Sequence, residues 1–115
     1  MVSIIIVVIV AAIHFYFLYL EMFKWEAPRT CAIFGTTAEF AKETKVLAAN
    51  QGLYNGFIAM GLIVAGMVGD GQMAMYLLCC VVIAGLYAAS GGLKRALVVQ
   101  SLPALIAIIL IWIGL

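Results

Sequence analysis

His14 and Glu21 stand seven residues apart in an apolar stretch. At about 100° per residue, seven residues return a helix to the same face. The two side chains therefore share a stripe with Leu18 and Trp25, which Val7 and Ser3 extend. Such a pair is either a proton or cation site with its relay, or an acid–base pair. About 10 Å of helix rise lies between them, so acid–base work needs a bridging substrate. The plainer alternatives stay open: Glu21 can pair with Lys24 or Arg29 or reach water, and His14 can bond a neighbouring helix.

A second group supplies amides. Ala48, Gln51, Gly52 and Asn55 share a helical face, with Asn50 nearly opposite and close to Tyr54. Gln100 shares a face with Ala96, Ala104 and Ala107. His14, Glu21, Trp25, Asn50, Gln51, Tyr54, Asn55 and Gln100 are thus the candidate cavity-lining or proton-site residues. The same amides can instead glue helices together, and Trp25, Tyr16 and Tyr19 also suit packing at a membrane interface. Pro103 has no N–H, so the Val99 carbonyl needs another donor, for which Gln51, Asn55 and Gln100 are candidates.

Other chemistries find no pattern. Cys31, Cys79 and Cys80 show no C-x-x-C spacing and only one histidine exists, so no metal or cofactor is expected. No phosphate-binding glycine loop or hydrolase nucleophile motif appears.

The elements that must position these groups follow from composition. The 115 residues are 68% hydrophobic and 10% charged, with mean hydropathy +1.26. Soluble domains have roughly 45–50% apolar and about 25% charged residues. These values exclude a soluble globular domain, a disordered tail and a disulfide-stapled secreted module. A net charge of +1 leaves no basic field for nucleic acid.

The charges leave four gaps: 1–20, 46–69, 71–93 and 96–115. Each has the roughly 20 residues that a helix needs to cross a bilayer, and barrel strands of about 10 alternating residues do not fit. The pattern predicts one all-α domain over 1–115, an antiparallel up-down membrane four-helix bundle with helices at about 2–25, 37–68, 72–90 and 93–114. The first residues lack the basic flank of a signal peptide and are read as part of helix one. All six basic residues fall in the first and third loops. The positive-inside rule then puts those loops in the cytoplasm and both termini outside.

The loops carry their own signals. Gly69-Asp70-Gly71 predicts a tight turn. Thr36-Thr37-Ala38-Glu39 offers a capping box, with helix two starting near Thr37 or a separate interfacial helix preceding it. Counting helix rise from the charged ends sets Glu21, Gln51 and Gln100 in the cytoplasmic half, with His14 and Asn55 near mid-membrane. Gly52-x-x-x-Gly56 is a close-packing pattern, and a contact between two copies of the chain is expected there.

The run Asn50-Gln51-Gly52-Leu53-Tyr54-Asn55-Gly56, with His14 and Glu21-Met22-Phe23-Lys24-Trp25 before it, resembles a family of small bacterial four-helix membrane proteins described as a domain of unknown function. The likeness continues through Ala27-Pro28-Arg29, Phe34-Gly35, Glu39-Phe40-Ala41 and Gln100-Ser101-Leu102-Pro103. It implies a protein of the bacterial cytoplasmic membrane with similar size and topology, and carries over no established activity. Ser101 departs from the glycine expected there, which implies a less close approach of helix four to its neighbour.

Three functions follow as expectations. The preferred one is a small-molecule or ion transporter, with Glu21 taking a proton or cation, His14 relaying it, and Gln51, Asn55 and Gln100 lining a polar cavity open to the cytoplasm. The others are an intramembrane enzyme on a lipid or apolar substrate, which is less favoured, and a structural or accessory membrane protein. The partners expected are the lipid bilayer, a small-molecule ligand and a second copy through Gly52 and Gly56.

Overall fold

The computed structural model describes residues 1–115 and is all helical. The elements are α1 (Val2–Phe23), α2 (Pro28–Phe34), α3 (Ala38–Glu43), α4 (Lys45–Val68), α5 (Gly71–Ser90), a π-helical turn (Leu97–Ser101) and α6 (Leu102–Trp112). Helices α1, α4 and α5 are long and apolar enough to cross a membrane, and the last stretch, Leu97–Trp112, is shorter. Ile4, Ile5, Val8, Phe57, Met60, Ile83 and Leu86 on the long helices are exposed. Exposed apolar surface on this scale is what a lipid-facing helix presents.

Six α-helices replace the four expected, because the first charged segment folds. Helix α1 stops at Phe23, so Trp25 lies beyond it. Ala27 precedes a proline and takes an extended conformation (φ −63°, ψ 140°). Pro28 then occupies the first position of α2, where its missing N–H costs nothing. The stretch 37–68, expected either as one helix or with a separate interfacial helix at its start, breaks at Thr44 into α3 and α4. Thr37 caps α3 by accepting from the Phe40 N–H at 3.1 Å, so Phe40 and not Glu39 takes the third helical position.

The chain divides into two compact units, Met1–Ile13 with Ile58–Leu115, and His14–Phe57. In the first, α5 packs against the π-helical turn and α6. Its core joins Leu62, Leu78 and Val81 to the small residues Ala59, Ala65, Ala74, Ala104 and Ala107. The expected tight turn is present: Gly69 is left-handed at φ 72°, and Asp70 caps α5 by accepting from the Met73 N–H at 2.9 Å. The Met1 ammonium donates to the Leu115 carbonyl at 2.8 Å.

Ser101 overturns the looser packing expected of it. It is buried, and its hydroxyl donates to the Val82 carbonyl at 3.0 Å. A Cβ on Gly85 would overlap Ser101 Oγ and lie 3.0 Å from Ser101 N. The glycine that permits close approach is therefore on α5. A π-helical turn precedes Pro103. The Leu102 N–H donates to Leu97 O, five residues back. The wide turn just before the proline relieves the clash its ring makes with the carbonyl four residues earlier. The amides of Gln51 and Asn55 donate to Glu21.

In the second unit, Trp25 organises the short helices. Its ring packs on Phe34 with centroids 5.1 Å apart, and its Nε1 donates to Thr44 Oγ1 at 3.0 Å. Thr44 Oγ1 in turn donates to the Phe40 carbonyl at 2.7 Å. A threonine bonded back by four residues bends a helix, which accounts for the break between α3 and α4.

Candidate functional site: a buried carboxyl between two amides

Glu21 sits in the last turn of α1 and is only 2% exposed. Its Oε2 accepts from Gln51 Nε2 at 2.7 Å, and its Oε1 accepts from Asn55 Nδ2 at 2.5 Å. Gln51 and Asn55 are one turn apart on α4, so their side chains lie on one face. Each carboxyl oxygen thus has one amide donor. The donors are neutral. Lys45, six residues before Gln51, pairs with Glu26 instead, at 3.2 Å between exposed side chains.

Short side chains meet across this contact because α4 carries no Cβ where α1 approaches. A Cβ on Gly52 would lie 2.8 Å from Met22 Cγ, 3.0 Å from Glu21 Cβ and 3.3 Å from the Leu18 carbonyl. A Cβ on Gly56 would lie 2.5 Å from Leu18 Cδ1. Gly52 and Gly56, expected as a contact between chains, pack here against the same chain.

The other candidates are placed as follows. His14 is 1% exposed and meets the Phe17 ring edge-on at 5.6 Å. It keeps the stripe of Glu21, two turns earlier on α1, with Leu18 between them in sequence. Asn50 is exposed. Tyr54 is exposed and packs edge-on against Phe57 at 5.6 Å. Trp25 serves Thr44. Gln100 is half-buried in the π-helical turn of the other unit, and neither Glu21 bond comes from it. Of the eight, Glu21, Gln51 and Asn55 bond one another.

Thr44 and Gly85 are positioning residues that the sequence does not mark. Thr44 adjoins Lys45, and only its distant partner Trp25 reveals its role. Gly85 lies in a run of small and apolar residues that carries no local mark of its close approach to Ser101.

Chemically, an ionised carboxyl accepts and cannot donate, which matches two N–H groups aimed at it. A charge in an apolar span is costly and is retained where it binds or moves something. The unit 1 cavity is different in kind. It measures about 460 Å³ and is walled mainly by apolar residues, including Ile4, Val7, Leu62 and Ile111.

Comparison with known proteins agrees with the family resemblance. The Uncharacterized protein YpaA of Lactococcus lactis subsp. lactis (strain IL1403) is 32% identical over 111 residues, covering 93% of each chain. No solved structure matches. The family model described as Protein of unknown function (DUF1304) matches residues 8–112, and the chain is a member of that family.

Proposed function

We propose that the chain crosses the bacterial cytoplasmic membrane four times, with both termini outside, and moves an ion or small molecule by way of Glu21. The observation that carries this reading is the buried Glu21 carboxyl held by two neutral amides. A buried charge is ordinarily paired with an opposite charge; the Glu21 carboxyl is held by neutral donors, and a proton or a cationic cargo would cancel its charge. The fourth crossing is Leu97–Trp112, lengthened by Ala96 and Ile113–Leu115, with Lys94 and Arg95 in the loop before it. The confinement of Lys and Arg to two loops supports the orientation.

The test is flux. The protein is reconstituted in vesicles loaded with a pH-sensitive dye, and proton movement is followed under an imposed potential, alone and with a panel of organic cations. Flux above empty vesicles that is lost in Glu21→Gln supports the reading. Flux equal in wild type and variant removes it.

A second reading has its own observation. Gln51, Gly52, Asn55 and Gly56 all engage α1, as a purely structural clasp would. It predicts unfolding, with no flux in any form of the protein, when Glu21 is replaced.

A further inference from the structure

We propose that Glu21 is a proton-exchange site closed to metal cations, and that the amides of Gln51 and Asn55 impose this selectivity. The inference deepens the reading above and rests on Glu21 being the charge-binding group there.

Two neutral amides face the Glu21 carboxyl. Both oxygens meet N–H groups, the positive ends of amide dipoles. A hard cation such as Mg²⁺ or Ca²⁺ takes six or more oxygens, and those the protein does not supply must be waters carried into the apolar span. To offer any beyond the carboxyl, both amides would have to turn over, and both hydrogen bonds would be lost. The result would still be four oxygens: two from Glu21 and one each from Gln51 and Asn55. No group of three His, Cys, Asp or Glu side chains gathers anywhere in the chain to make up the set.

A proton asks for far less. It arrives from water, forms an O–H bond on one carboxyl oxygen and cancels the charge. The new O–H is a donor, so one amide turns over to accept it with its carbonyl. The other amide stays as it is. Two hydrogen bonds hold the carboxyl before the step and two after it. Release reverses the sequence and returns the proton to water. Gln51 is the exposed member of the pair and Asn55 is half-buried. The Gln51 amide is therefore the one that turns, and Oε2 is the oxygen that takes the proton.

Other titratable groups lie on the helix that carries Glu21, on its neighbours and in the other unit. On its own helix the titratable neighbours are buried His14 and exposed Tyr16, Tyr19 and, just beyond the helix, Lys24. Helix α4 brings Lys45, paired with Glu26, and exposed Tyr54. Helices α2 and α3 bring exposed Arg29, Glu39, Lys42 and Glu43, and Cys31, whose thiol points to the Trp25 carbonyl at 3.9 Å. In the other unit Asp70, Tyr76, Tyr87, Lys94 and Arg95 are exposed, and Cys79 and Cys80 are free.

The experiment is infrared difference spectroscopy of the full chain in lipid vesicles, taken from alkaline to acid buffer. Beside the bands of the other four acidic side chains, the expected result is one further carboxylic-acid C=O band, shifted by deuterium and absent from Glu21→Gln. Its midpoint is unchanged by NaCl or MgCl₂, and Gln51→Leu displaces it by about one pH unit, a tenfold change in proton affinity. No such band, or a midpoint that moves as Na⁺ or Mg²⁺ is raised, overturns the proposal. If Glu21→Gln fails to fold, Asn55→Leu serves in its place. It must shift the frequency of the band, and an unchanged frequency overturns the proposal equally. The measurement needs no transported cargo. A negative flux assay with a positive band therefore refutes transport alone, while a missing band refutes proton exchange alone.

Discussion

Asn55 reaches Glu21 across 34 residues of chain with an amide nitrogen 2.5 Å from the carboxyl oxygen. Asparagine is among the shortest side chains able to do this, and it succeeds because Gly52 and Gly56 flank it on the approaching face. The two glycines and two amides form one device, in which closeness of backbones sets the reach of side chains. Between neutral partners in a membrane such a bond contributes about 0.6 kcal/mol. A bond to a charged acceptor contributes about 1.5–3 kcal/mol, and the larger figure applies while Glu21 is ionised.

The first prediction is that difference. Asn55→Leu leaves Oε1 without its donor and lowers unfolding free energy by about 1–3 kcal/mol in neutral or alkaline buffer. In Glu21→Gln background the same change costs less than about 1 kcal/mol, since no charge is left unserved. A double-mutant cycle from denaturant unfolding in mixed micelles checks it. Equal costs in the two backgrounds would mean the contact carries no charge-dependent energy.

The glycines differ in what a methyl group would strike. Gly52→Ala meets Met22 Cγ, the Glu21 Cβ and the Leu18 carbonyl, and the last two cannot move without α1. Gly56→Ala meets only the end of the Leu18 side chain, which can rotate. Gly52→Ala is therefore expected to destabilise by about 1–3 kcal/mol, and Gly56→Ala by clearly less. Thermal unfolding of both variants gives the order, and the reverse order would place the tight contact at the wrong glycine.

Trp25 and Thr44 make a third test outside the long helices. Trp25→Phe removes the Nε1 donor, and Thr44→Val removes its acceptor together with the back-bond to Phe40. Each is expected to speed hydrogen exchange across 28–43 by about five- to tenfold, since a lost neutral hydrogen bond is worth about 1 kcal/mol. Exchange within α5 should stay unchanged. The combined variant should add little to Thr44→Val, because both act through one hydroxyl.

These tests also mark how far linear reading reaches. Gaps between charges are enough to place α1, α4, α5 and the last apolar stretch, since spanning length and charge exclusion are properties of one segment. Glu21, Gln51 and Asn55 were legible as a polar set because helical periodicity puts them on facing stripes. Trp25 and Tyr54 were not separable from them, because spacing says which face a residue occupies and not where a helix ends or what covers it. Helix α1 ends at Phe23, so the stripe stops before Trp25. Tyr54 lies on the exposed side of α4. The partner that Thr44 finds in Trp25 lies 19 residues earlier, and no local window contains both.

The π-helical turn supplies the last prediction, which runs against ordinary helix propensity. Replacing a helical proline by alanine commonly recovers about 3 kcal/mol. Here the wide turn before Pro103 sets the register that brings Ser101 Oγ to the Val82 carbonyl and against Gly85. An alanine at 103 restores an N–H and favours the regular spacing, which rotates Ser101 away from that notch. Pro103→Ala is thus expected to gain much less than 3 kcal/mol, or to lose stability. Gly85→Ala should be worse, since the added methyl overlaps Ser101 Oγ and crowds Ser101 N and the Ala96 carbonyl. Ser101→Gly removes the first of these clashes and leaves the two backbone contacts, so it should rescue Gly85→Ala in part and not in full. Unfolding of the three single variants and of the Gly85→Ala, Ser101→Gly pair measures this directly. A full proline-to-alanine gain, or no rescue by Ser101→Gly, would show that the register is not held by this contact.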